Sequence, residues 1–264
     1  AFDLADIYGR GRCEELLGLV LKNRPDLREK MWIQSKCGIR IEEFTYFDFS
    51  KEYILQSVDG ILERLKIDHL DSLLLHRPDA LMESDQVAEA FDLLYKQGKV
   101  RDFGVSNQNP MMMELLRKDV KQPLAVNQLQ LSAAFTPGFE SGFHVNMEDS
   151  QATMRDGNVF EYCKLHDVVI QAWSVLQFGY FKGNFVGNEK FQALNQVLDR
   201  LALKYGVTPS TIAISWILRY PAKMQAVVGT TNPKHLREVS QAANFSLTRK
   251  EWYEIYLAAG NNLP

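Results

Sequence analysis

The stretch LDSLLLHRPDALMESDQVAEAFDLLYKQGKVRDFGVS, residues 70–106, holds one full unit of the chain's organisation. It opens with a short apolar run, LDSLLLH (70–76), and crosses a loop containing proline. It continues as DQVAEAFDLLYKQGK (85–99) and ends in a second apolar run, VRDFGVS (100–106). Short apolar runs of this kind read as strands covered on both faces. The segment between them reads as a helix ended by Gly98. Strand, helix and strand in succession build parallel sheet with right-handed crossovers.

The same alternation extends in both directions. Before it stand FDLA, the helical CEELLGLVLKNR (13–24) with apolar positions Leu16, Leu17, Val20 and Leu21, and the strand candidate KMWIQSK (30–36). Ser50 then precedes a helix with apolar positions Ile54, Val58, Ile61, Leu62 and Leu65. After it come PMMMELLRK (110–118), LAVNQLQL (124–131), GNVFEYCKLHD (157–167) and VVIQAWSV (168–175). A long helical region from Glu189 to Arg219, split between Gly206 and Pro209, leads to MQAVVGT (224–230), PKHLREVSQAA (233–243) and a last helix near 248–259. Strands therefore fall near residues 2, 31, 71, 100, 125, 168 and 225. No G-x-G-x-x-G opens a helix, so the dinucleotide fingerprint of an open doubly wound sheet is missing. The expected fold is α/β, a (β/α)8 TIM barrel in which one strand of the eight is not seen. Residues 1–264 are read as one domain, a size that such barrels commonly reach.

Composition narrows the function classes. A net charge of −3, with no basic run longer than two residues, gives no footprint for nucleic acid. No apolar stretch reaches bilayer length, so no membrane partner is expected. The three cysteines, Cys13, Cys37 and Cys163, are odd in number and widely spaced. That pattern favours a reducing compartment, and a cytoplasmic location is the expectation. Cys37 follows Lys36 directly, but neighbours on a strand face opposite ways, so it reads as a buried, inert thiol.

In a barrel of this kind chemistry gathers where strands end. Those ends carry Asp3 and Tyr8, then Lys36, His76, Ser106 with Asn107, Gln128, Trp173 with Ser174, and Gly229 with Thr230. Taken singly each has an ordinary explanation: a solvated lysine, a hydrogen-bonded core histidine, a packing tyrosine, an aspartate capping a turn. Asp6 is read in that last way, as local structure. Taken together, the first four make a proton-donor assembly. A phenol with an ordinary pKa of about 10 is a poor acid near neutrality. A neighbouring ammonium stabilises its phenolate, a carboxylate holds that ammonium, and a histidine beside the hydroxyl can polarise a carbonyl oxygen.

FDLADIYG, IQSKCG, LLLHRPD, GKVRDFGVSN, NQLQLS and VVGTTNPKHLREV, in this order, resemble the aldo-keto reductase superfamily, and its bacterial oxidoreductases most of all. The resemblance runs from residue 1 to the last helix. It implies NADP(H)-dependent reduction of aldehydes or ketones, with NAD(H) as the alternative. The matching catalytic tetrad is Asp3, Tyr8, Lys36 and His76, the five-residue spacing selecting Asp3 over Asp6. Tyr8 would be general acid toward the carbonyl oxygen, with hydride coming from C4 of the nicotinamide. Ser106, Asn107 and Gln128 match the holders of the carboxamide, and Trp173 the aromatic stacked on the ring. Ser174 and Leu176 open the segment over the pyrophosphate. Gly229, Thr230, Asn232, His235 and Glu238 fall at the adenosine end. His235 and Gly229 stand where relatives preferring NADP often carry arginine and lysine, with Lys234 and Arg237 close by.

The resemblance also implies that the missing strand is the first, so the chain is expected to lack the N-terminal strand and helix. The expected partner is a small-molecule carbonyl substrate, and the expected state a monomer or small homo-oligomer. Two other readings remain. One is a cofactor-binding regulatory subunit with little turnover, as in the branch of the family that accompanies potassium channels. The other is a barrel isomerase or aldolase using Lys36 as Schiff-base nucleophile. The run 131–157, with Phe135, Phe139, Phe143 and His144, reads as a long loop, either a substrate-pocket wall or a surface element.

Overall fold

A computed structural model of the chain describes residues 1–43, 45–144, 147 and 150–261. Its chain contacts divide it into two compact units, Ala1–Asn127 and Gln128–Pro264.

The first unit begins with β1 (Phe2–Asp3), the Tyr8–Gly11 turn and α1 (Arg12–Asn23). There follow β2 (Ile33–Cys37), the antiparallel hairpin of β3 (Ile39–Ile41) and β4 (Thr45–Phe47), and α2 (Lys51–Leu65). β5 (Leu70–Leu75), α3 (Ser84–Lys96), β6 (Val100–Ser106) and α4 (Pro110–Arg117) continue it. β7 (Leu124–Gln130) crosses the boundary between the units. The pairings β1–β2, β2–β5 and β5–β6 are parallel. Every residue of β2 and of β5 is buried, as expected of strands covered on both faces.

The second unit carries α5 (Pro137–Phe143), α6 (Val159–Leu165), β8 (Val169–Trp173), α7 (Gln192–Tyr205) and α8 (Pro209–Leu218). It ends with β9 (Met224–Ala226), α9 (Pro233–Ser240) and α10 (Arg249–Ala258), and β8 pairs in parallel with β9. The strand order of the main sheet is β1-β2-β5-β6-β7-β8-β9, the seven strands expected from the sequence. Gly206, left-handed at φ 67°, ends α7, and the Thr208 side chain caps α8, so the long helical region splits where its glycine and proline lie. Among the described residues no single helix is long and apolar enough to cross a membrane.

Three local readings change. The hairpin of β3 and β4 adds two short strands between Lys36 and Ser50, where sequence reading assigned none. Part of the 131–157 run is helical, as α5, and residues 145, 146, 148 and 149 of that run lie outside the described residues. Phe139 there is buried, stacked on Tyr220 at 5.7 Å and surrounded by Phe160, Trp216, Trp252 and Tyr256, so it packs inside the unit.

The third change concerns α1. Its buried stripe is Glu14, Leu17, Gly18 and Leu21, while Leu16 and Val20 are exposed. The helix is rotated because Gly18 lies against the end of α2, where any Cβ would overlap the carbonyl oxygen of Arg64. Gly18→Ala is therefore expected to destabilise by about 1–3 kcal/mol through overpacking. Helix propensity alone would favour alanine by about 1 kcal/mol, so a denaturant midpoint that stays or rises would refute the tight contact.

Candidate active site

The strand ends of the first unit converge. β1 and β2 pair with Asp3 opposite Gln34, and β2 and β5 with Lys36 opposite Leu74, two residues before His76. Ladder bonds run past the strand ends, from Asp6 N–H to the Lys36 carbonyl at 3.0 Å and from His76 N–H to the Cys37 carbonyl at 2.9 Å. The chain then turns at Tyr8, and Asp3, Tyr8, Lys36 and His76 form one group inside a single unit.

Lys36 organises it. Its side chain is fully buried, and its ammonium donates to Asp3 Oδ2 at 2.7 Å, to the Leu4 carbonyl at 2.8 Å and to the Tyr8 hydroxyl at 3.5 Å. An ammonium has three protons, and these acceptors match them. Burial lowers the lysine's pKa, and the charge and hydrogen bond of Asp3 oppose that shift, helped by Asp6 and Glu14. Asp3 is held on its other oxygen by Gln34 Nε2 at 2.6 Å, and Gln34 accepts in turn from Ser72 Oγ at 2.9 Å. Tyr8, 36% exposed, keeps its ring within reach of solvent.

His76 lies edge-on to Tyr8, ring centroids 5.7 Å apart at 78°. Burial, with Lys36 and Arg77 nearby, pushes its pKa down to about 3. It is thus a neutral imidazole at working pH, able to donate one N–H. Its Nδ1 is buried with no hydrogen-bond partner among the described residues. An unfolded histidine protonates near 6.5. The stability that goes with neutral His76 is therefore complete above about pH 6.5 and is lost as pH falls toward 3.

Asp6 is more than a turn residue. It lines a groove of about 540 Å³ with Tyr53, Ser57, Gly60 and Arg64. Burial, then the charge of Glu14, pushes its carboxyl up to about 7. Its sign is opposite to that of His76: the stability it supports is present below about pH 3.8 and is lost as pH rises through 7. The reading of Cys37 as inert agrees with its setting, since it is fully buried and burial raises its thiol well above the ordinary value.

The residues proposed for a cofactor fall in both units. In the first, Ser106 is buried at the end of β6, and left-handed Asn107 (φ 54°) donates Nδ2–H to Ser106 Oγ at 2.9 Å. In the second, Gln128 donates to Gln171 at 3.1 Å and Gln171 to Gln225 at 3.0 Å, a ladder of amides over β7, β8 and β9. Sequence reading found Gln128 and missed Gln171 and Gln225, whose period-two placement on neighbouring strands was the available signal. Trp173 stands edge-on to Tyr180 at 6.1 Å, and Ser174 is left-handed at φ 52° where the chain leaves β8. The Leu176 carbonyl accepts from Phe185 N–H at 3.0 Å, closing the base of the following loop.

Gly229 and His235 are exposed, and the α-carbon of Gly229 faces open space. Thr230 Oγ1 accepts from Asn232 N–H at 3.1 Å, and Asn232 Oδ1 caps α9 through Lys234 N–H at 3.0 Å. Glu238 lies 3.9 Å from Lys234. Residues missed around the tetrad are Glu14, Gln34, Ser35, Arg64 and Ser72. Their partners lie 21 to 50 residues away, beyond any local pattern.

A family model described as the aldo/keto reductase family matches residues 1–258. Oxidoreductase YdhF of Escherichia coli K12 is 35% identical, the match covering 99% of this chain and 84% of that protein. A 6-dehydroglucose reductase of Agrobacterium fabrum is 32% identical, covering 97% and 82% respectively. Among solved structures, the thermostable aldo-keto reductase Tm1743, in complex with the inhibitor epalrestat, is similar with TM-score 0.75 at 25% identity, covering 97% of this chain and 81% of that one. An aldo-keto reductase of Klebsiella pneumoniae, in complex with NADPH, has the same TM-score of 0.75 at 22% identity, covering 96% and 77%.

Proposed function

The chain belongs to the aldo/keto reductase family of oxidoreductases, whose fold is the (β/α)8 barrel, and from that premise we propose that it reduces aldehydes or ketones to alcohols with NADP(H), Tyr8 being the proton donor. The observation that carries the reading is the buried Lys36 ammonium, held by Asp3 and turned on the Tyr8 hydroxyl. A fixed positive charge at that distance favours the phenolate left behind when the proton departs. Neutral His76 presents an N–H to a carbonyl oxygen placed beside the phenol, which orients and polarises it. Asp3, fixed by Gln34, keeps the ammonium charged and aimed.

The donor set suits a nicotinamide dinucleotide. Ser106, Asn107 and Gln128 offer the hydroxyl and amide groups that a carboxamide needs. The Trp173 indole offers a flat face. Ser174 and Leu176 begin the loop assigned to the pyrophosphate. Gly229, Thr230, Asn232, His235 and Glu238 form the stretch assigned to the adenosine end, with Gly229, Asn232 and His235 exposed and Thr230 and Glu238 half-buried. When bound, NADP(H) supplies the hydride. Lys234 and Arg237 are the cations close to His235 that a 2′-phosphate could meet.

The reading is tested on the full chain with NADPH deuterated at the transferable C4 position and a panel of carbonyls. The panel includes sugar aldehydes, because two relatives are named 6-dehydroglucose reductases. NADPH consumption with deuterium on the carbinol carbon is the expected result. No consumption and no label across the panel would overturn it.

A further inference from the structure

Three glycines of the first unit meet one arginine. A Cβ on Gly11 would fall 2.8 Å from Arg64 Cδ, and a Cβ on Gly60 2.9 Å from Arg64 Nη1. A Cβ on Gly18 would overlap the Arg64 carbonyl oxygen. The side chain of Arg64 thus packs on Gly11 and Gly60, and its backbone on Gly18, between the end of α2 and the start of α1. Gly11 closes the turn that Tyr8 opens, and Gly9, Arg10 and Gly11 are all left-handed, at φ 58°, 56° and 86°. That conformation costs a non-glycine residue such as Arg10 about 1 kcal/mol and persists only where its surroundings enforce it.

Arg64 supplies such an enforcement. Its Nε donates to Glu14 Oε2 at 2.7 Å, and fully buried Glu14 accepts from Ser35 Oγ at 2.6 Å through Oε1. Ser35 precedes Lys36 on β2. One guanidinium therefore ties the turn after Tyr8 to the strand that carries Lys36. Asp6, with Asp59 and Glu63, lines the groove that Arg64 also lines, and the Arg64 charge acts on the Asp6 carboxyl.

We propose that Arg64 is a positioning residue for Tyr8, a buttress that packs on Gly11 and, through Glu14 and Ser35, holds the phenol in register with the Lys36 ammonium. The proposal rests on Tyr8 being the proton donor. It assigns Arg64 no contact with substrate or cofactor.

Arg64→Met keeps the stem and removes the fork. A misplacement of order 1 Å far from the chemistry can lower a rate by about 10²-fold. The expected result is a fall in kcat of about that size with KM for NADPH unchanged. Hydrogen exchange of residues 8–13 accelerates, while α7 to α10 keep their protection. Arg64→Lys, which retains the charge, recovers part of the loss. Because Arg64→Met strands the buried Glu14 charge, the double variant Arg64→Met, Glu14→Gln is measured beside it. It has no stranded charge and is expected to keep both the kcat defect and the fast exchange. An active, folded double variant with wild-type kcat overturns the proposal. If the wild-type protein reduces no carbonyl, the functional reading falls instead, and exchange at residues 8–13 still decides: wild-type protection in the variants overturns the buttress.

Discussion

Tyr8→Phe is expected to lower carbonyl turnover by about 10²- to 10⁴-fold, the range that general acid catalysis supplies, while NADPH binding changes little. The substitution deletes one oxygen from a ring that is part exposed and sits 5.0 Å under the Lys36 ammonium, so the cation–ring contact survives. What disappears is the acceptor at 3.5 Å from Nζ and the proton it would pass to a carbonyl oxygen. His76 cannot take over. Its pKa of about 3 means that it carries no second proton to give near neutrality, so a residual rate that rises sharply below pH 7 is not expected from it. The measurement is kcat and KM for both substrates with the binding of NADPH titrated separately. Wild-type kcat in Tyr8→Phe would remove the phenol from the mechanism. A fall confined to KM for the carbonyl would make Tyr8 a binding group, not an acid.

Much of this assembly was legible from sequence because strand ends are local features. LLLH and IQSK finish in His76 and Lys36, two members of the group, and a buried strand fixes which side chains emerge at its end. The break in the long helical region was legible too, since Gly206 and Pro209 act on their own backbone. What could not be read is what depends on a distant partner. Glu14 looks like any acid in a first helical turn until Arg64, 50 positions on, is seen beside it. Leu16 and Val20 look like core until Gly18 turns α1 the other way. Asp6 passes for a turn residue because its altered acidity comes from burial and from Glu14, and neither is a property of its neighbours in sequence. Hydropathy also misleads at α1, where a carboxylate and a glycine belong to the buried stripe and Leu16, Leu19 and Val20 do not.

Lys36→Met is the variant that separates folding from chemistry. The ammonium is fully buried and satisfies Asp3, which is 18% exposed on its side chain. Removing one partner of a fully buried pair costs about 3–5 kcal/mol. Water still reaches Asp3, and Gln34 still holds it, so the loss here is expected nearer 1–3 kcal/mol, the cost of an unsatisfied buried group. Catalysis is expected to suffer more than the fold. With no cation beside the hydroxyl, the departing proton leaves a phenolate without compensation. Loss of one such preorganised electrostatic contact lowers kcat by about 10²- to 10³-fold. The control is Lys36→Met with Asp3→Asn, which leaves no unpaired charge. It is expected to regain most of the lost stability and none of the lost rate. If the double variant recovers turnover, Lys36 serves only to neutralise Asp3 and the proton-donor reading of the pair fails. If Lys36→Met is inactive and wild-type protein incubated with a carbonyl and borohydride is covalently trapped at Lys36, the lysine acts as a nucleophile. The absence of that adduct, with the deuterium of labelled NADPH found on the product carbon, leaves Lys36 as the charge that makes Tyr8 an acid.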